Sequence, residues 1–176
     1  MSPQGAPALA RVLPVYPDIQ VEVSVHSGFI AQDMVAVRIG PEMRMAVVGA
    51  AGYFSGRKRP KVPQDLTAHV CINLRLPTLG GLYVWEFEKA RRELKVRVEG
   101  QVVFNGSAMI LRAALAGFGL AYLPEDRVRE PLADGRLVRV LADWCSPFPG
   151  YHLYYPSRRQ PTPAFKLLVA ALRYRG

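Results

Sequence analysis

The chain has 176 residues, half of them hydrophobic and 21% charged, and 23 lysines and arginines against 14 acidic residues give a formal net charge of +9. A chain this long can bury roughly 70% of its unfolded surface, so a globular protein of one domain or two small lobes is expected, and a disordered chain or a large multi-domain machine is excluded. No apolar run approaches the roughly 18 residues of a membrane span, and residues 1–10 have no basic segment followed by an apolar core, so a cytosolic protein is expected, with Cys71 and Cys145 as reduced, buried packing residues.

Residues 8–15 read as the end of a helix that stops before Tyr16-Pro17. Asp18 to Val25 alternates strictly, with Ile19, Val21, Val23 and Val25 on one face, the mark of a half-buried strand. Strands follow at Val35–Ile39 and Met43–Val48, separated by the turn Gly40-Pro41-Glu42. Residues 52–63 are a loop rich in glycine, proline and basic residues, the best interior candidate for a passage between lobes. Pro63 opens a short helix to Ala68, Val70–Leu76 is a strand, and residues 77–81 turn the chain. Leu82–Glu88 and Leu94–Val98 alternate and predict a hairpin through Lys89 to Arg92.

Gln101–Phe104 is a strand broken by Asn105-Gly106-Ser107, after which Ala108–Ala116 has the composition of a buried helix, with Ser107 as N-cap and Gly117 at C′. A strand at Leu120–Leu123 closes at Pro124, and Glu125–Ala133 reads as a helix with acidic residues in its first turn. Arg136–Leu141 and Tyr151–Tyr155 are strands, and Thr162-Pro163 opens a last helix to about Arg173 with Phe165, Leu168, Val169 and Leu172 on its apolar face. Strands alternating with helices predict an α/β fold with mixed sheets.

The spacings that assemble catalytic or metal chemistry are missing: no G-x-S-x-G, no phosphate loop, no H-E-x-x-H and no C-x-x-C. Gly117-Phe118-Gly119 lacks the third glycine of a dinucleotide fingerprint and follows a helix. His26, His69 and His152 are scattered and read as surface or packing residues. The reading is therefore of a non-enzyme with neither metal nor cofactor. The positive balance favours an acidic partner in general, but Arg57-Lys58-Arg59, Arg91-Arg92 and Arg158-Arg159 sit beside turn formers and read as solvated loop charge.

One break does suggest binding. Asn105, Gly106 and Ser107 lie between a strand end and a helix start, where backbone N–H groups and two polar side chains converge and an anion is favoured. Arg75, with Pro77 and Thr78, lies at another strand end and could supply a charge-assisted bond to a carboxylate.

Several stretches, in order, resemble the effector-binding region of the LysR-type transcriptional regulators: Tyr16-Pro17-Asp18-Ile19, residues 33–40 (DMVAVRIG), residues 66–72 (LTAHVCI), residues 113–124 (AALAGFGLAYLP), Gly135-Arg136-Leu137-Val138 and Tyr154-Tyr155-Pro156-Ser157-Arg158. The resemblance implies a two-lobe fold like the type 2 periplasmic binding proteins, with residues 1–52 and 150–176 as the first lobe and 53–149 as the second. It implies a small, anionic or aromatic effector in an interlobe cleft, and a homodimer or higher homo-oligomer. The matching cleft positions are Ser2 and Pro3, Arg75 with Leu76, Pro77 and Thr78, and Asn105, Gly106 and Ser107. The family reads DNA with a winged helix-turn-helix that this chain lacks, so DNA contact is expected only through such a domain. The alternative is a solute-binding protein of a transporter, which shares the fold but needs export.

Residues 26–34 are also too few. Nine positions separate the strand ending at Val25 from the one starting at Val35, whereas a parallel crossover takes about a dozen or more, and the family has a further helix and strand here. Either the lobe is shortened at this point or the numbering closes over residues of a longer chain.

Overall fold

The computed structural model describes residues 9–10, 13–16, 34–76, 81–156 and 162–175. In chain order the strands are β1 (Met34–Arg38), β2 (Met45–Ala50), β3 (Asn73–Leu74), β4 (Trp85–Lys89), β5 (Arg92–Val96), β6 (Val103–Phe104), β7 (Ala121–Pro124), β8 (Leu137–Val140) and β9 (His152–Pro156). The helices are α1 (Ser107–Leu115), α2 (Glu125–Ala133) and α3 (Pro163–Leu172). Antiparallel and parallel pairs occur together, so the fold is α/β with mixed sheets. No helix among the described residues is long and apolar enough to cross a membrane.

The chain divides into two compact units, one of residues 1–42 with 149–176 and one of residues 43–148. Strand β2 belongs to the second unit, whose strands hold it on both edges.

In the second unit β2 lies between β7 and β8, antiparallel to both, with Val47 opposite Tyr122 on one side and Val140 on the other. Its four central residues are buried, as a strand covered on two faces requires. Alternation then sorts the core. Ala46 and Val48 join Ile72, Ile110, Ala114, Leu123 and Val128 against α1 and α2, whereas Val47 joins Leu66, Trp85, Phe87 and Tyr122 in an aromatic layer. The Tyr122 ring stacks on Trp85 at 5.3 Å, and its hydroxyl donates to the Glu86 carbonyl. Burial of that phenol pushes its pKa well above the ordinary tyrosine value.

The β4–β5 hairpin pairs Trp85 with Val96 and Phe87 with Leu94 and turns both rings inward. Its two-residue turn puts Ala90 at φ 51° and Arg91 at φ 64°. Both central positions of such a turn need positive φ, which alanine and arginine adopt at a cost. Replacing Ala90-Arg91 by Asn-Gly is expected to stabilise the second unit by about 1 kcal/mol, read as a melting-temperature rise of roughly 4 °C or more.

Helix boundaries follow local chemistry. At α1 the N-cap is Gly106, with φ −148° and ψ 139°, and no side chain caps the helix; Ser107, expected as the cap, is its first helical residue. At the other end Gly117, with φ 80°, carries the C′ turn: its N–H reaches the Ala114 carbonyl and that of Phe118 the Ala113 carbonyl. Helix α2 starts and stops where its acidic first turn and Asp134-Gly135 predict. The 70–76 stretch is less regular than expected, because only Asn73 and Leu74 join a ladder while Cys71 and Arg75 make single bridges. The helix at 63–68 is a 3-10 turn, its start held by Asp65, which accepts from the Lys61 and Val62 N–H groups.

In the first unit β1 pairs antiparallel with β9 over five residues, from Met34 opposite Pro156 to Arg38 opposite His152. Helix α3 begins as predicted, with the Thr162 hydroxyl accepting from the Phe165 N–H at 3.2 Å and Pro163 in the first turn. Leu168 and Val169 are buried, and Phe165 meets Tyr155 edge-on at 5.0 Å. The helix end expected at 8–15 shows a 3-10 turn at Leu13–Val15. The strand expected at Asp18–Val25 lies outside the described residues. Residues 26–33 likewise lie outside the described residues.

Candidate functional site

The candidate residues that can be placed all belong to the second unit. Strands β3 and β6 run parallel, Asn73 beside Val103 and Leu74 beside Phe104, so both present their carboxyl ends at one edge. Arg75 is the next residue on β3 and Asn105 the next on β6, and the pairing continues through the Arg75 N–H, which reaches the Phe104 carbonyl at 2.7 Å. Gly106 then turns the chain into α1. The structure thus brings Arg75 and Leu76 to the same sheet end as Asn105, Gly106 and Ser107. Pro77, Thr78, Ser2 and Pro3 lie outside the described residues.

Two features give this edge its chemistry. Helix α1 starts with no side-chain cap, and its first regular backbone bond among the described residues runs from Ile110 to Gly106, leaving the Ser107, Ala108 and Met109 N–H groups directed at the helix's amino end. Such an end favours negative charge through its N–H groups and its dipole. In addition, residues 71–76 and 101–112 contain Arg75 and Arg112 and no acidic side chain. The groups carried by this edge are backbone donors, the Ser107 hydroxyl, the Asn105 amide and the guanidinium of exposed Arg75.

Asn73, 3% exposed, was not picked out by the sequence reading. It precedes Arg75 by two on the strand, which puts both side chains on one face. Its signal was present as a polar residue inside the apolar run 70–76. Burial pushes the Cys71 thiol up to about 12 and the Cys145 thiol up to about 11, so both are protonated at neutral pH. The His69 ring is engaged with the Tyr53 hydroxyl at 3.3 Å, and burial lowers its pKa. Among the described residues no group of three His, Cys, Asp or Glu side chains could hold a metal ion.

Residues 27–176 match the LysR substrate binding domain family. A Pseudomonas aeruginosa protein named as a transcriptional regulator is 49% identical over 185 aligned positions, which cover 96% of this chain and 60% of that protein. The HTH-type transcriptional regulator PgrR of Escherichia coli is 38% identical over 187 positions, covering 97% of this chain and 62% of its own length. Among solved structures, the regulatory domain of a cysteine-to-serine variant of AphB from Vibrio vulnificus matches with a TM-score of 0.78 at 20% identity, over 97% of this chain and 92% of that one. This chain therefore spans about three fifths of the length of those two curated relatives. Because 96% of 176 residues is about 169, about 16 of the 185 aligned positions have no counterpart here, and the PgrR alignment gives about 16 by the same arithmetic.

Proposed function

The chain belongs to the LysR substrate binding domain family, and from that premise we propose that it senses a small anionic or aromatic metabolite at the edge formed by Arg75, Leu76 and Asn105–Ser107. The supporting observation is the meeting of the carboxyl ends of β3 and β6 with the uncapped start of α1, with Arg75 the residue that follows β3. Pro77, Thr78, Ser2 and Pro3 are proposed as further contacts on the strength of the family resemblance.

Sensing here is a shift between arrangements. An effector changes the packing of a homodimer or higher oligomer to the extent that it binds one arrangement more tightly than the other, and equal affinity shifts nothing. In a regulator carrying a winged helix-turn-helix, that shift would reposition the DNA-reading domains. No bond is made or broken. The regulator names of the relatives favour this reading over a transport solute-binding protein.

Isothermal calorimetry against a panel of small aliphatic and aromatic carboxylates tests the site. Arg75→Ala is expected to weaken binding about tenfold or more through loss of a charge-assisted bond, and Ser107→Ala by a few-fold, in variants that fold as the parent does by circular dichroism. Binding unaltered in both variants would move the site elsewhere.

A further inference from the structure

We propose a second ligand site in the second unit, at the opposite end of α1, that takes an amphipathic carboxylate. A cavity of about 800 Å³ opens there, large enough for a molecule of two or three rings. Helix α1, from Ser107 at the first edge to Leu115 in this lining, rises about 12 Å between the two. It is built entirely from residues 50–136 and does not depend on the effector reading above.

The lining has the two-part character that such a ligand needs. Leu115 and Phe118 form an apolar wall, and Phe118 stands 58% exposed where the Gly117 turn brings the chain off the helix. Arg57 and Arg136 supply charge from two distant parts of the sequence, Gln101 adds an amide, and no acidic residue lines the space. Arg57 is held in place rather than neutralised. Its guanidinium lies over the Tyr53 ring at 4.8 Å and donates to the Tyr53 carbonyl at 3.0 Å, leaving further donors for an incoming anion. Arg136 is partly satisfied by Asp134 at 2.6 Å and Glu130 at 3.8 Å, so Arg57 is the principal anchor. Exposed Lys58, Arg59 and Lys61 follow on the same loop and deepen the positive field. The carboxyl end of α1 contributes only a partial negative charge against these cations.

The probe is 2-naphthoate, titrated by calorimetry into the full 176-residue chain, with the neutral 2-naphthylmethanol alongside. Naphthoate is expected to bind and the alcohol to bind at least about tenfold more weakly, since the arginine contact is charge-assisted. Arg57→Ala and Phe118→Ala are each expected to weaken naphthoate about tenfold, while Arg75→Ala leaves it unchanged. Phe118 is exposed, so its variant keeps the test decisive should Arg57→Ala perturb the Tyr53 turn. Absence of naphthoate binding, equal binding of the alcohol, or binding that survives both Arg57→Ala and Phe118→Ala would overturn the proposal. Loss of binding in Arg75→Ala would assign the probe to the effector edge instead and overturn it too.

Discussion

Gly119→Ala is expected to destabilise the second unit by about 3 kcal/mol or more, enough to consume a large share of the stability of an ordinary domain. Gly119 sits at φ 153°, a conformation that side-chain-bearing residues rarely adopt, and a Cβ there would overlap the Val70 carbonyl oxygen. That oxygen cannot retreat, because it accepts the Leu120 N–H at 2.9 Å while the Ile72 N–H reaches the Leu120 carbonyl at 2.8 Å. Strain and lost ladder bonds therefore add. Gly117→Ala is the control: its φ of 80° disfavours alanine, but a Cβ there meets nothing within 4 Å, so a loss of about 1 kcal/mol is expected. Both tryptophans of the chain, Trp85 and Trp144, lie in the second unit, so urea unfolding followed by tryptophan fluorescence reports on it alone. Equal losses in the two variants would contradict the backbone argument.

The second large effect concerns the first unit. Amides of β1, β9 and α3 are expected to exchange with solvent at least about 100-fold faster than those of β2 and β7, measured by hydrogen exchange with mass spectrometry. The described part of the first unit has a two-stranded sheet and only Val37, Leu168 and Val169 as fully buried apolar side chains, whereas β2 is bonded along both edges beneath two packed layers. The alignments with the two bacterial regulators leave about 16 positions without a counterpart in this chain. The sequence reading locates the shortfall in the nine-residue link 26–34, and the family match begins at residue 27. Inserting the corresponding residues of the Pseudomonas aeruginosa relative into that link is expected to slow exchange in β1 and β9. Equal protection of the two units in the native chain would contradict this account.

What the sequence revealed divides by range. Helix α2 was legible to the residue because Glu125-Asp126 and Asp134-Gly135 are local signals, and α3 because Thr162-Pro163 is one too. The hairpin rings Trp85 and Phe87 were legible from period-two alternation. The partners of β2 were not, since Tyr122 and Val140 lie 75 and more residues away and nothing in Met45–Ala50 encodes which strands will flank it. At the candidate site, the strand-to-helix break at Asn105–Ser107 was visible in the sequence. Its adjacency to Arg75 depends on β3 pairing with β6 some 30 residues on. The cavity near Phe118 was illegible for the same reason: Arg57 and Arg136 look like ordinary loop arginines until the fold brings them to one wall.

The most direct test of the effector reading is to follow the backbone amide signals of the isotopically labelled chain by NMR while a panel of small aliphatic and aromatic carboxylates is added. The account predicts that for at least one member the largest shifts fall on Arg75 and on the Ser107, Ala108 and Met109 amides, and that they vanish in Arg75→Ala. Largest shifts elsewhere in the chain, or none with any member, would contradict it.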